Sequence, residues 1–242
     1  MIENNAFYSR TAMLLGEDGV EKLKNSTVAV FGLGGVGSYI VEALVRAGVG
    51  KLILIDGDVV AESNLNRQII ATRDTVGMRK VDATADRARS INPAVELVLH
   101  DIFYSAETAD SVDLSGVDFV CDAIDSVKSK MELIQRCDSL GIPLICSMGT
   151  GNKLDPTRLE ITDIYKTDVC PLAREIRRLC RKAGVKRLKV LYSKEEPVVP
   201  KVSAAVDGAE IVKRVSPGSV SFVPSVAGLI IAGEVIKSIC GI

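Results

Sequence analysis

A five-residue apolar run, Thr27–Phe31, breaks directly into Gly32-Leu33-Gly34-Gly35-Val36-Gly37, and helical spacing follows. Such a continuous run is what a strand buried on both faces requires. Glycines at 32, 34 and 37 permit a tight turn, close backbone approach to phosphate oxygens and close packing of the next helix. A helix opening near Gly35 aims free N–H groups and the positive end of its dipole at that phosphate. The turn points to a nucleotide-binding α/β fold without saying what the nucleotide is for.

The alternation continues down the chain. Residues 38–47 are helical and close at Gly48, and 51–55 form a second strand ending at Asp56. A charged amphipathic helix at 77–91 is stopped by Asn92-Pro93. Residues 95–99, 118–123 and 143–146 read as strands, with a helix at 126–140. This order predicts a doubly wound, mostly parallel Rossmann-like α/β sheet with helices on both faces. Right-handed crossovers then put the ligand at the carboxyl ends of the strands, where Gly32, Asp56 and Asp125 fall. Residues 159–164, 189–192 and 219–223 read as strands continuing the sheet, 172–182 as a basic helix, and 225–239 as a final helix. Before the first strand, 4–24 has helical spacing broken by Gly16 and Gly19. The whole chain, 1–242, is expected to be one domain with a basic element inserted at about 165–200.

Composition removes several classes. Apolar residues make up 47% of the chain, an ordinary fraction for a soluble globular protein. With 30 basic and 31 acidic residues, a nucleic-acid partner must be met by a local patch. The opening Met1-Ile2-Glu3-Asn4-Asn5 has neither a basic nor an apolar leader region, and a reducing, cytoplasmic setting is expected. None of the six cysteines forms a C-x-x-C pair, and Cys121 and Cys146 sit within strand-like runs as buried small hydrophobes. The single histidine, His100, ends a strand, which leaves little room for histidine-based acid–base chemistry. The apolar stretch at 226–239 carries Glu234 and Lys237 and is short for a bilayer, so it reads as a buried or dimer-interface helix.

Four polar features narrow the chemistry. Asp56 stands where a ribose hydroxyl is held, or caps a loop. Asn64-Leu65-Asn66-Arg67-Gln68 is a polar loop string that packing does not explain. Its Arg67 offers a guanidinium fork to phosphate, and Lys80 offers a point charge unless it only faces solvent. Asp125 suits Mg²⁺, which takes one or two carboxylates plus phosphate oxygens; an N-cap role for the following helix is the plain alternative. A nicotinamide dehydrogenase has no use for such a group, whereas an enzyme that activates a carboxylate with ATP does.

In this order, the glycine turn (Gly32, Gly34, Gly35, Gly37), Asp56, Asn64, Arg67, Gln68, Lys80 and Asp125 resemble the ubiquitin-activating-enzyme-like (ThiF/MoeB-type) adenylating superfamily. The resemblance implies that Asp56 holds the ribose, Arg67 and Lys80 the phosphates, and Asp125 the Mg²⁺, with Asn64 and Gln68 orienting the site. Further motifs are similar to the tRNA threonylcarbamoyladenosine dehydratases. These are Phe7-Tyr8-Ser9-Arg10, Asn66-Arg67-Gln68-Ile69, Asp122 to Lys130, Gly149 to Thr157, and Pro171-Leu172-Ala173. That resemblance implies an adenylate-forming, ligase-type enzyme that uses ATP to cyclise threonylcarbamoyl-adenosine beside the anticodon of tRNA. It also implies a homodimer, and leaves open a monovalent cation near residues 147–151 and a sulfur-transfer protein as partner.

The alternative within the superfamily is adenylation of the C-terminal glycine of a ubiquitin-like sulfur carrier. The missing C-x-x-C pairs count against it. A nucleotide-dependent binding module without turnover is the rival from another class. Between Arg174 and Lys189 stand Arg174, Arg177, Arg178, Arg181, Lys182, Lys186, Arg187 and Lys189 against Glu175, a patch suited to RNA or merely to solvent. Phosphate-backbone binding there weakens steeply with salt. Cys170 is expected to have no catalytic part, because ring closure needs no enzyme thioester when the nucleophile lies within the substrate.

Overall fold

In the computed structural model, which describes residues 6–201 and 217–242, the long apolar runs become the centre of a seven-stranded sheet. The opening pentapeptide, and with it the start of the 4–24 stretch, lies outside the described residues. In chain order the elements are α1 (Ser9–Lys24), β1 (Thr27–Phe31), α2 (Gly37–Ala47), β2 (Lys51–Ile55), α3 (Lys80–Ile91) and β3 (Glu96–His100). They continue with β4 (Phe119–Asp122), α4 (Val127–Leu140), β5 (Leu144–Ser147), β6 (Leu159–Asp163), α5 (Pro171–Ala183), β7 (Lys189–Ser193) and α6 (Phe222–Cys240). The sheet order is β3-β2-β1-β4-β5-β7-β6, parallel throughout except for the antiparallel edge pair β6–β7.

Helices cover both faces. On one, Val28, Val30, Leu52 and Leu54 pack with Ile40 and Leu44 of α2 and Ile231 and Val235 of α6. On the other, Ala29, Phe31, Ile53 and Ile55 meet Leu133 and Cys137 of α4. Each large aliphatic side chain buried this way contributes about 1.5–3 kcal/mol. Chain order reverses between β1 and β4, which opens a crevice at their carboxyl ends.

Several expected boundaries move. Residues 219–223 are not a strand; α6 begins at Phe222 and runs 19 residues, with Pro224 inside its first turn, where a missing N–H costs nothing. The helix expected from Gly77 starts at Lys80, because Gly77 has φ +91° and Arg79 is extended. Gly16 breaks α1 (φ 73°, ψ 168°), whereas Gly19 is buried within the helix against Leu15 and Cys240. Among the described residues, α6 alone is long and apolar enough to cross a membrane. It packs on α1 and α2, and a Cβ at Gly228 would come within 2.4 Å of Val36 O.

Polar ties set the outer helices. Glu42 of α2 accepts hydrogen bonds from Arg46 Nε (2.8 Å) and, across to α3, from Arg87 Nε (2.6 Å) and Nη2 (3.0 Å). Burial pushes its carboxyl up, but the hydrogen bonds from Arg87 and then Arg46 outweigh that and leave it below the usual carboxylate range. The native state therefore holds fewer protons here than the unfolded chain. The tie stabilises above the ordinary glutamate pKa and is lost as pH falls through the lowered native value. Glu42→Gln is expected to cost about 1–2 kcal/mol at neutral pH and to flatten the acid limb of a pH–stability curve measured by urea unfolding.

Candidate nucleotide site

The crevice holds a cavity of about 570 Å³, and nine of the ten predicted site residues line it. They are Gly32, Gly34, Gly35, Asp56, Asn64, Arg67, Gln68, Lys80 and Asp125. Gly37 stands behind them, where a Cβ would sit 1.7 Å from Gly32 O; only glycine lets α2 start this close to the turn. Gly32 itself has φ +85°, and a Cβ there would meet Ala123 O at 2.7 Å.

Asp56 closes β2 onto the turn. Its Oδ2 accepts from Leu33 N (2.7 Å) and its Oδ1 from Asp58 N (2.8 Å). The first bond ties the end of β2 to the glycine turn and the second closes a local turn, so the carboxylate does more than cap its own loop. Lys80, the first residue of α3, is not on a solvated face. It is 6% exposed, with Nζ 2.7 Å from Asp58 Oδ2 and 3.9 Å from Asp56 Oδ1.

The polar loop supplies the opposite wall. Asn64 Oδ1 accepts from Ala61 N (3.0 Å) and shapes the turn that carries Arg67. Arg67 Nη1 donates to Ser63 O (2.9 Å) and to Asn66 Oδ1 (2.8 Å), while Asn66 Nδ2 donates to Ser219 O (3.0 Å). Gln68 is buried, and its Oε1 has no hydrogen-bond partner among the described residues. An orphaned acceptor aligned with the glycine turn is a place for a ligand donor.

Asp125 is exposed to the cavity and makes no hydrogen bond or ion pair with the described residues. It is not the N-cap of α4; Ser126 is, accepting from Ser129 N. What fixes the Asp125 loop is a pair that sequence reasoning quoted only within a motif. Asp122 and Lys130 are both fully buried, with Lys130 Nζ 2.6 Å from Asp122 Oδ2 and 3.0 Å from Ser147 O. Asp122 Oδ1 accepts from Ile124 N (3.0 Å). A lysine placed among the apolar positions of α4 was the available signal. The 102–105 loop, including the 68%-exposed Phe103, also lines the cavity and left no signal in the periodicity.

Other candidates fall elsewhere. His100 ends β3, away from the cavity lining, and burial lowers its pKa. Burial pushes the thiols of Cys121 and Cys146 far up, Cys137 up to about 12 and Cys180 up to about 11. Cys170 is 2% exposed at the start of α5 and does not line the cavity. Half of the basic element is engaged within the chain. Arg177 donates to Thr167, Arg178 pairs with Glu175, Arg181 lies over Tyr165, and Lys189 pairs with Glu234. Arg174, Lys182, Lys186 and Arg187 are exposed and make no side-chain hydrogen bond or ion pair with the described residues. No group of three metal-ligating side chains gathers among the described residues.

Lys130→Met leaves Asp122 buried without its counter-charge and is expected to cost about 3–5 kcal/mol, a fall of roughly 6–20 °C in Tm. Adding Asp122→Asn is expected to recover part of that loss in calorimetry, since no unpaired charge then remains. A single variant that melts with the wild type contradicts the role given to the pair.

The chain has known relatives across its length. Residues 8–242 match the model of the ThiF family. A tRNA threonylcarbamoyladenosine dehydratase of Bacillus subtilis is 44% identical over 238 residues, covering 96% of this chain and 94% of the relative. The Escherichia coli tRNA N6-threonylcarbamoyladenosine dehydratase TcdA, solved in complex with ATP, superposes with a TM-score of 0.87 at 33% identity, covering 97% of this chain and 93% of that one. Its complex with AMP gives 0.88 at 34%, covering 100% and 97%. With the glycine turn, the clamped Asp56 and the polar loop all meeting at the sheet's switch point, this chain belongs to the ThiF family.

Proposed function

We infer that the chain is an ATP-dependent tRNA threonylcarbamoyladenosine dehydratase: it adenylates the threonyl carboxylate of the modified adenosine, which then cyclises. The observation that carries this reading is the meeting of Arg67, Lys80 and Asp125 in one cavity beside the glycine turn. End-to-end similarity to a dehydratase, and to structures with ATP and AMP bound, supports it over activation of a sulfur carrier.

In this mechanism the glycine turn and the start of α2 receive the phosphates, with Asp56 at the ribose and Asn64 and Gln68 orienting the nucleotide. One oxygen of the substrate carboxylate attacks the α-phosphorus of ATP, and pyrophosphate leaves. Arg67 and Lys80 face the charge that develops on it, a preorganised contribution of about 3–4 kcal/mol per good donor. A nucleophilic atom of the same substrate then attacks the acyl carbon, the ring closes, and AMP departs with the carboxylate oxygen. The net change in the tRNA is loss of one water. Effective concentration supplies the second step, so no enzyme nucleophile is needed.

Asp125 is the residue suited to Mg²⁺: a single open carboxylate beside the phosphate site matches an ion that completes its shell with phosphate oxygens and water. Such an ion would neutralise phosphate charge. Neither a monovalent cation near residues 147–151 nor a sulfur-transfer protein enters this chemistry. The reading takes the whole chain as one adenylating unit in which α5 serves the RNA.

Incubation with ATP, Mg²⁺ and modified tRNA, followed by mass analysis of the nucleosides, is expected to show loss of one water from threonylcarbamoyl-adenosine. Arg67→Ala and Asp125→Ala are each expected to lower kcat by about 10²–10³ with little change in Tm. Near-normal turnover in both variants contradicts these roles.

A further inference from the structure

A groove of about 660 Å³ opens beside the nucleotide cavity, between the first half of α4, the end of α5 and residues 105–107. Ser105, Ser126 and Ser129 line both spaces, and the Ser126 and Ser129 hydroxyls are 3.2 Å apart. The two spaces are therefore separated by little more than one pair of small side chains. The volume falls within the ~300–1,000 Å³ of small-molecule sites.

The lining has two kinds of surface. Val127 and Leu179, both part-exposed, provide apolar area on which a flat ring can lie, and the buried Met131 also belongs to the lining. Glu107, Glu132 and Gln135 offer acceptors to the amino and ring N–H groups of a base. Lys128 and Lys182, both exposed, set an ammonium on each of the two helices. Two carboxylates and two ammonium groups leave the groove near neutral, so a bare polyanion gains little there. A nucleotide, with an apolar ring face, hydrogen-bonding edges and flanking phosphates, matches all three features.

We propose that this groove between α4 and α5 is an RNA subsite that holds the nucleotide next to the reacting adenosine, its base against Val127 and Leu179 and its phosphates beside Lys128 and Lys182. The proposal rests on the reading of the chain as a tRNA-modifying enzyme. It goes beyond that reading by placing recognition of the flanking nucleotide in a defined pocket. It also separates Lys182 from the other unpaired cations of the basic element, Arg174, Lys186 and Arg187, none of which lines the groove.

The test uses the full chain and a fluorescent anticodon stem-loop RNA. Ala183→Trp fills the groove from an exposed position without changing charge. A second variant, Lys128→Glu with Lys182→Glu, reverses the ammonium pair, and Lys186→Glu controls for loss of positive charge elsewhere on the chain. Fluorescence anisotropy is expected to show RNA affinity about tenfold or more weaker for Ala183→Trp and for the double variant, with ATP affinity unchanged. The control is expected to lose less. If Ala183→Trp binds RNA as the wild type does, the groove is not the subsite, and the dehydratase reading stands. If the wild type neither binds the RNA nor dehydrates modified tRNA, both the reading and the proposal fall.

Discussion

A fully buried ion pair, Asp122 with Lys130, holds the working edge of this sheet together. Two charges removed from water persist only when each is matched, and here the match is complete. The carboxylate takes Lys130 Nζ and Ile124 N, and the ammonium also reaches Ser147 O. The pair thereby joins the end of β4, the start of α4 and the end of β5, beside the point where chain order reverses between β1 and β4. Loss of either partner strands the other in the interior, which makes the arrangement close to all-or-none. The loop from Ala123 to Asp125 inherits its path from that lock.

A second carboxylate performs the same service on the other side of β1. Asp56 accepts from Leu33 N and Asp58 N, which ties the glycine turn to the end of β2, while Ala123 N donates to Phe31 O on the β4 side. With both oxygens engaged by backbone, Asp56 shapes the turn. The carboxylates of the site divide accordingly: Asp122 and Asp56 are structural anchors, Asp58 holds Lys80, and Asp125 alone faces the cavity unengaged by the described residues. A cavity bearing Arg67, Lys80 and one open acidic group suits a polyphosphate better than a nicotinamide.

The parts of the fold that depend on burial alone were legible in the sequence. Thr27–Phe31 and Lys51–Ile55 are central parallel strands, and burial on both faces writes them as uninterrupted apolar runs. Residues 219–223 misled because Ser219 and Ser221 alternate with Val220 and Phe222 as in a half-buried strand, while Pro224 is tolerated in the first turn of α6. Lys80 looked like any charged residue opening an amphipathic helix. Its burial depends on Asp58, a tertiary partner 22 positions away that no periodicity reports. The 102–105 wall was silent for the same reason, since a loop placed by its neighbours carries no repeat.

Heavy-oxygen labelling of the threonyl carboxylate in modified tRNA tests the account at its chemical centre. If the cavity joins that carboxylate to the α-phosphorus of ATP, one labelled oxygen must leave in AMP, in step with formation of the cyclic product and pyrophosphate. AMP without label, or label recovered in inorganic phosphate beside ADP, would contradict adenylation and with it the roles given to Arg67, Lys80 and Asp125.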